Sequence, residues 1–309
     1  MSGRDLGASV RQRLLNQARL QGRPFQELLQ YFAMERFLYR LSKSPFADRF
    51  ILQGALLLTA WRAPVARPTM DIDLAGKTNN ELERIRSLVG EVCEFATEPD
   101  GIEFAAGSIE VQRIKEDAEY EGVRVRFNAT LAKARTPMQI DIGFGDVIVP
   151  RPIEIEYPAM LEFPAPVLMA YPKETVVAEK LEALTVLGML NSRLKDYYDL
   201  ALLARLYPFD GNLLVEAISA TFRHRGTPVE ENPVGLSAEY SADPPRAVQW
   251  RAFVRRSRLG AEWELAKIVD QVRSFASAPL AAIADDRSFD VKWKPGGPGR
   301  VPELVEGWW

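Results

Sequence analysis

The stretch Thr69-Met70-Asp71-Ile72-Asp73-Leu74-Ala75 alternates apolar and polar side chains, and it indicates how the first half of this chain folds. Strict alternation predicts a β-strand whose larger apolar residues anchor one face in the core. Asp71 and Asp73 then lie on the opposite face, close enough to share a divalent cation. Like charges at this spacing repel each other unless a cation lies between them. The strand therefore predicts a metal site on its polar face.

A third acidic residue occurs in a similar setting further along the chain. Asp141 lies in Gln139-Ile140-Asp141-Ile142-Gly143, within a strand predicted from Met138 to Val149. If the two strands are neighbours, the three carboxylates converge in an oxygen-rich site of the kind that holds two Mg²⁺ ions for phosphoryl or nucleotidyl transfer. An isolated Asp-x-Asp is more often an exposed strand face, but Asp141 and a glycine turn upstream of the strand together favour the metal site.

The rarest residues narrow the chemistry available to such a site. Cys93 is the only cysteine and His224 the only histidine among 309 residues, which excludes disulfides and zinc sites built from several such ligands. Oxygen ligands must therefore hold any metal. The net charge of −3 argues against a nonspecific nucleic-acid coat protein. Apolar runs fall short of the roughly 20 residues that a bilayer requires, and we expect a cytoplasmic protein.

Outward from the acidic strands, the pattern predicts an α+β fold. Two amphipathic helices precede them, and the segments 104–115, 122–131 and 138–149 are expected to form a largely antiparallel set of strands. From Pro172 onward the spacing is helical. The proline-rich segment 150–172 predicts an extended crossing between the halves, which gives an α+β domain over residues 1–160 and a helical domain over residues 161–309.

A glycine turn precedes the first acidic strand. Phe50-Ile51-Leu52 predicts a short buried strand, followed by Gly54 and by a helix that begins near Ala55. Small residues at such a turn let a phosphate approach backbone N–H groups at the start of a helix. Strand-glycine-helix turns are also common for packing reasons, so Gly54 and Ala55 are only candidate nucleotide-binding residues.

The helical half adds candidate phosphate ligands. Lys180 follows Glu179, and Lys195 lies four residues before Asp199 on the same predicted helix face. A surface ion pair between Lys195 and Asp199 is one interpretation. In the other, Lys180 and Lys195 bind triphosphate oxygens and Asp199 orients one of them. The arginine-rich stretch Arg246–Arg258 is a further candidate for contact with acceptor phosphates.

Taken together, these motifs resemble the AbiEii/AbiGii family of nucleotidyltransferase toxins. The resemblance extends over nearly the whole chain, in the same order and spacing, and five stretches carry it: Gly54-Ala55, Arg67–Leu74, Gln139–Gly143, Tyr171–Lys180 and Asn191–Leu200. The chain departs from the family at Ala55, where serine or a second glycine is usual. An alanine keeps the backbone donors and removes a hydroxyl that could contact a phosphate.

The resemblance implies a polymerase β-like nucleotidyltransferase fold, with a mixed sheet, flanking helices and a helical C-terminal domain that completes the nucleotide site. It implies transfer of nucleotides from an NTP with two Mg²⁺ ions held by Asp71, Asp73 and Asp141. It also implies an antitoxin protein as partner in a type IV toxin–antitoxin system. Some relatives modify the 3′ end of tRNA, which makes tRNA the expected acceptor.

Two alternatives stay open at the level of sequence. The same metal site would serve transfer to a protein or to a small molecule equally well. A catalytically silent protein that binds RNA or a partner is the second alternative. The presence of all three acids and both lysines argues against silence, since the neighbouring carboxylates repel one another without a metal.

Overall fold

A computed structural model describes residues 3–64, 67–117, 120–260 and 263–295, and it divides the chain into two compact units. The first unit contains the residues up to Gly145 together with Ile153–Ala170. The second unit contains Asp146–Pro152 and the described residues from Tyr171 onward. Each unit has its own secondary structure and its own buried core.

The first unit combines a seven-stranded sheet with four helices among its described residues. The helices are α1 (Gly3–Leu20), α2 (Phe25–Lys43), α3 (Leu56–Ala60) and α4 (Leu82–Glu94). The strands are β1 (Phe50–Gln53), β2 (Ile72–Gly76), β3 (Ile102–Asp117), β4 (Tyr120–Leu131), β5 (Ala134–Phe144), β6 (Ile153–Glu156) and β7 (Val167–Ala170).

The order of strands in this sheet is β3-β4-β5-β2-β1-β7-β6. The pairs β2–β5 and β1–β7 are parallel, and the other neighbours are antiparallel. Strand β2 therefore lies in the middle of a mixed sheet, between β5 and β1. The apolar residues of β2, Ile72 and Leu74, are buried, as the alternation of the sequence predicts. Met70, which the same alternation assigns to the core, lies before β2 and is exposed.

Helix α2 and the proline-rich segment pack together within the first unit. Glu35 is fully buried and accepts a hydrogen bond from the backbone N–H of Met160 at 2.6 Å, and Arg36 donates to the carbonyl of Pro164 at 2.7 Å. Burial raises the pKa of Glu35 to about 7, although the Arg36 charge opposes that rise. Cys93 of α4 is also buried, as expected of a small core residue, and burial raises the pKa of its thiol to about 12.

The second unit is mainly helical. Its described helices are α5 (Lys173–Leu187), α6 (Leu194–Leu206), α7 (Gly211–His224), α8 (Ala238–Ala242), α9 (Pro244–Arg256) and α10 (Leu265–Ala284). Two-residue strands β8 (Phe209–Asp210) and β9 (Lys292–Trp293) pair with each other. Helix α7 begins after Asp210, whose carboxylate accepts hydrogen bonds from the backbone N–H groups of Asn212 and Leu213.

The structure confirms the predicted α+β class, the mixed sheet with flanking helices and the helical second half. Strands β3, β4 and β5 form the predicted antiparallel set, although β5 ends at Phe144 rather than at Val149. The predicted extended crossing contains two strands, β6 and β7. None of the helices in the described part of the chain has the long apolar run that a bilayer crossing requires.

Candidate active site

Three carboxylates converge at the centre of the first unit's sheet. Asp73 on β2 is the register partner of Asp141 on β5, and Asp71 comes directly before β2. One carboxylate oxygen from each residue lies within 4.8 Å of those of the other two. Asp141 is buried, whereas Asp71 and Asp73 are partly exposed. We call these three residues the carboxylate triad.

Neighbouring side chains fix two members of the carboxylate triad. Arg124, the register partner of Asp141 on β4, binds it in a bidentate pair with N···O distances of 2.8 and 2.7 Å. The amide of Gln139 donates to the same carboxylate at 3.3 Å. The hydroxyl of Thr69 donates to Asp71, and the backbone N–H of Thr69 is held in turn by the hydroxyl of Tyr31 at 3.0 Å.

The carboxylate triad fits a divalent metal. Magnesium binds oxygen ligands at about 2.1 Å in octahedral geometry, so two oxygens on one ion lie about 3 Å apart when they are adjacent and about 4 Å apart when they are opposite. The three carboxylate oxygens lie within 4.8 Å of one another, so rotation of these side chains would bring them to those distances. Carboxylate oxygens are also the ligand type that Mg²⁺ prefers, and the partly exposed faces of Asp71 and Asp73 can be reached from solvent.

Gly54 lies against the carboxylate triad in a conformation that favours glycine. Its φ angle is +71°, and a Cβ atom built there would lie 1.9 Å from Asp73 Oδ2 and 2.6 Å from Asp73 Cβ. The glycine is therefore required so that the Asp73 carboxylate can lie against the turn after β1. Helix α3, which follows this turn, has five residues, so its dipole adds little to anion binding.

Replacing Gly54 by alanine is expected to remove activity and to lower the free energy of unfolding by about 1–2 kcal/mol or more. Strain at positive φ accounts for about that cost, and the new Cβ also displaces the Asp73 carboxylate. The matched control is Gly22→Ala, since Gly22 has φ +61° and no atom within 4 Å of the added Cβ. Urea unfolding and a transfer assay would separate the two effects. Equal activity in both variants would contradict the role given to Gly54.

In the second unit, Lys180 on α5 lies among two buried carboxylates. Its Nζ is 2.5 Å from Asp196 Oδ1 and 3.0 Å from Asp199 Oδ2, both on α6. Arg193 Nε lies 2.8 Å from the other oxygen of Asp196. Burial alone would raise the pKa of Asp196, but the charges of Lys180 and Arg193 outweigh it and lower the pKa to about 2. We call these four residues the lysine cluster.

The lysine cluster differs from the simple i,i+4 pair that the sequence suggests. Asp199 pairs with Lys180 of another helix, while Lys195 is exposed on α6. Asp196 was not among the sequence candidates, although it is fully buried and closest to Lys180. The signal in the sequence was its position three residues before Asp199, which places both carboxylates on the same side of the helix.

A second group of charges surrounds Glu179, also within the second unit. Arg225 binds Glu182 at 2.8 Å and Asp146 at 3.0 Å, and the hydroxyl of Thr227 donates to Glu182 at 2.6 Å. Burial raises the pKa of Glu179 to about 8, and the Asp146 carboxylate adds to the rise against the charges of Arg225 and Lys180. Glu179 is therefore a carboxyl group held largely neutral near pH 7.

Glutamine in place of Glu179 is expected to flatten part of the pH dependence of stability. The folded pKa of about 8 lies above the ordinary value of 4.5, so the folded chain binds more protons between these pH values. Below pH 4.5 Glu179 is protonated in both states and does not lower the free energy of unfolding. As the pH rises from 4.5 to about 8, the unfolded chain loses this proton first, and the free energy of unfolding falls. Glu179→Gln should therefore gain stability over the wild type at pH 8 but not at pH 4.5.

Urea unfolding at a series of pH values would measure this difference. Glu216→Gln, the same change on an exposed residue of α7, is the matched control. Parallel stability curves for the wild type and Glu179→Gln would show that Glu179 is not held neutral.

The structure corrects one sequence candidate. Arg246 is buried, donates to the backbone carbonyls of Asn191 and Met189, and stacks over the ring of Tyr240 at 3.9 Å. It therefore fastens a loop and cannot serve as a phosphate contact, because its guanidinium is enclosed by these partners. Arg251, on the same helix α9, is exposed. Arg124, by contrast, is a site residue that the sequence does not indicate. The sequence shows only that it lies in an alternating strand, and nothing there links it to Asp141.

One family model and two solved structures are similar to this chain. Residues 36–271 match the family model described as nucleotidyl transferase AbiEii toxin, type IV TA system. Among solved structures, the chain is similar to a candidate nucleotidyltransferase of Helicobacter pylori, with 16% identity, a TM-score of 0.48, and coverage of 85% of this chain and 99% of that one. It is also similar to JHP933 of Helicobacter pylori, with 16% identity, a TM-score of 0.48, and coverage of 84% and 94%.

No curated protein matches the chain. The family model nevertheless covers most of its length and includes the carboxylate triad and the lysine cluster. Membership in a type IV toxin–antitoxin family implies a nucleotide substrate and an antitoxin partner. The chain belongs to the AbiEii family of nucleotidyltransferase toxins.

Proposed function

We propose that this protein transfers the nucleotidyl group of an NTP to the 3′-terminal hydroxyl of a tRNA, with two Mg²⁺ ions held by Asp71, Asp73 and Asp141. The observation that carries the proposal is the convergence of these three carboxylates, with Asp73 and Asp141 in direct register on neighbouring parallel strands. Such a set of oxygen ligands suits metal-assisted displacement at phosphorus.

The reaction forms a bond between the acceptor oxygen and the α-phosphorus and breaks the bond to pyrophosphate. When bound, the two ions supply activation of the acceptor hydroxyl and neutralise charge on the departing pyrophosphate. The protein's own residues hold the ligands in place: Arg124 fixes both oxygens of Asp141, and Thr69 fixes Asp71. Gly54 leaves the space that the Asp73 carboxylate fills.

We further propose nucleotide-binding roles for Gly54 and Ala55 in the first unit and for Lys180 and Lys195 in the second. Backbone N–H groups at the Gly54-Ala55 turn are donors for phosphate oxygens, although the short α3 helix contributes little field. Lys195 is exposed and able to meet an anion directly. Lys180 keeps 14% of its side chain exposed, and Asp199 and Asp196 orient its ammonium group.

The acceptor and the partner complete the proposal. A tRNA 3′ end offers a hydroxyl on a flexible single strand, which can enter an open site. NTPs and tRNA are both cytoplasmic molecules, and the antitoxin partner would act in the same compartment. Exposed arginines of α9, Arg251, Arg255 and Arg256, are candidates for contact with acceptor phosphates.

The test is transfer of label from each α-³²P NTP, with Mg²⁺, to total RNA, to protein, and in the absence of an acceptor. The wild type is compared with Asp71→Ala. We expect label in small RNA that disappears in the variant. Label on protein would mean that the acceptor is a protein rather than RNA. Absence of label from every fraction, together with absence of Mg²⁺-dependent stabilisation by NTP, would refute the enzyme and leave a binding protein.

A further inference from the structure

An open groove lies on the polar face of the sheet, beside the carboxylate triad and within the first unit. It crosses β3, β4 and β5 and has a volume of about 340 Å³. We call it the sheet groove, and the residues that matter here are Gln30, Met70, Ser108, Arg126, Asn128 and Gln139. Its volume is at the lower end of the range of about 300–1,000 Å³ found for small-molecule sites.

Hydrogen bonds connect the sheet groove to the carboxylate triad. Arg126 and Gln139 are register partners, as are Arg124 and Asp141 two residues further along the same strands, so all four side chains share one face. Arg126 Nε donates to Gln139 Oε1 at 3.1 Å, and the Gln139 amide donates to Asp141 at 3.3 Å. Met70, on the rim, directly precedes Asp71. A ligand in the groove therefore lies next to Asp141.

The lining of the sheet groove suits a nucleobase better than a phosphate. Met70 is 56% exposed and offers an apolar surface for the face of a ring. Asn128 and Gln139 carry both donors and acceptors, which is what the edge of a base requires. Glu110 is the register partner of Arg126 and also lines the groove, and its negative charge disfavours a phosphate there.

The order of the strands separates this groove from the glycine turn. The sheet groove extends from β5 toward β3, whereas the Gly54 turn follows β1, on the other side of β2. In the function proposed above, the nucleotide's phosphates contact the Gly54-Ala55 turn. The groove beside Asp141 is then available to the acceptor, the molecule whose hydroxyl attacks the α-phosphorus.

We propose that the sheet groove binds the terminal nucleobase of a nucleic-acid acceptor and that Asn128 and Arg126 determine which base is accepted. This inference rests on the proposed function and adds the place where the acceptor's last nucleoside lies. Asn128 is the residue of choice for a test, because its exposed side chain projects into the groove while Gln139 also holds Asp141.

The kinetic test compares Asn128→Ala and Arg126→Ala with matched changes on exposed residues outside the groove, Asn16→Ala on α1 and Arg84→Ala on α4. We expect the KM for the RNA acceptor to rise about tenfold in each groove variant, with the KM for NTP unchanged. Discrimination among acceptors with different terminal bases should decrease in parallel. A higher KM for NTP with an unchanged KM for RNA would overturn the proposal, because it would mean that the groove binds the base of the incoming NTP.

A second test needs no catalysis. A short single-stranded RNA that ends in 4-thiouridine is bound to the full chain and photo-crosslinked, and the attached peptides are identified by mass spectrometry. We expect attachment within residues 108–110, 126–139 or at Met70, and a clear loss of it in Asn128→Ala but not in Asn16→Ala. Attachment elsewhere overturns the groove assignment. If the crosslink forms as expected while no label is transferred to RNA, the proposed reaction fails and the groove assignment stands.

Discussion

Asparagine in place of Asp73 is expected to reduce nucleotidyl transfer by about 10³-fold or more while the protein stays folded. Asparagine has the same shape as aspartate, so it fits the space beside Gly54 that a longer side chain would not. The loss follows because a neutral amide binds a divalent cation poorly. Metal contacts with the reacting phosphate contribute several kcal/mol, and each 1.4 kcal/mol corresponds to a factor of ten in rate.

Stability measurements would separate this catalytic effect from damage to the fold. Removing one of three neighbouring negative charges relieves repulsion, so Asp73→Asn should unfold at the same temperature as the wild type or slightly above it without metal. The wild type should be stabilised by Mg²⁺ and NTP together, whereas the variant should not. Asp48→Asn, on a side chain that is 81% exposed, is the matched control. Transfer by Asp73→Asn at a rate near that of the wild type would remove the carboxylate triad from the mechanism.

Much of the fold could be predicted because strong periodicity coincides with burial. The alternation around Ile72 and Leu74 identifies β2, and the helical spacing over residues 194–206 predicts the helix that the structure contains as α6. Predictions at the ends of elements were less accurate. The helical spacing of the sequence predicts a helix over residues 261–276, but α10 continues to Ala284, with Pro279 inside it and Leu280 buried. Tertiary packing of these residues outweighs the local tendency of proline to end a helix.

The proline-rich segment shows that short strands are also difficult to predict from local sequence. Strands β6 and β7 are four residues each, and Pro152, Pro158 and Pro166 lie just outside them, where no ladder hydrogen bond is lost. Four residues give too short an alternation to be distinguished from an extended crossing. The pairing of β7 with β1 depends on residues far away along the chain.

The candidate site was predictable in residue type but not in its partners. Asp71, Asp73 and Asp141 each lie between two apolar residues in an alternating stretch of sequence. This pattern can be recognised without knowledge of the fold. Their convergence depends on β2 lying parallel to β5 in one particular register. The bidentate pairing of Arg124 with Asp141 depends on a second register, which a one-residue slip would remove.

The lysine cluster illustrates a competition between local and tertiary pairing. A surface pair at i,i+4 contributes only about 0.2–0.5 kcal/mol, so Lys195 and Asp199 have little reason to stay together. A buried carboxylate without a partner costs far more, and Asp199 and Asp196 therefore lie against Lys180. Charged residues on a buried helix face select a partner across the packing interface, which spacing along one helix cannot reveal.

Methionine in place of Lys180 should accordingly lower the free energy of unfolding by about 3–5 kcal/mol. Methionine keeps most of the length of the side chain, but Asp196, which is 0% exposed, and Asp199, which is 4% exposed, lose their shared cation. Lys195→Met makes the same chemical change on an exposed residue and should alter stability by less than about 0.5 kcal/mol. Urea denaturation of the two variants measures the difference.

A second substitution tests whether the cost comes from unpaired charge rather than from lost packing. Adding Asp199→Asn to Lys180→Met should recover part of the stability, because Arg193 still neutralises Asp196 at 2.8 Å. No recovery would mean that packing, not charge, accounts for the loss.

Acid unfolding provides an independent measurement on the same cluster. The pKa of Asp196 is about 2 in the folded chain and near 4 when unfolded, so the folded chain binds fewer protons between these values. The stability that this residue contributes is present above pH 4 and is lost as the pH falls toward 2. In Lys180→Met the pKa of Asp196 rises toward its ordinary value, since the nearest cation is gone. The variant should therefore lose less stability than the wild type between pH 4 and pH 2, and an unchanged slope would show that Lys180 does not set the charge of Asp196.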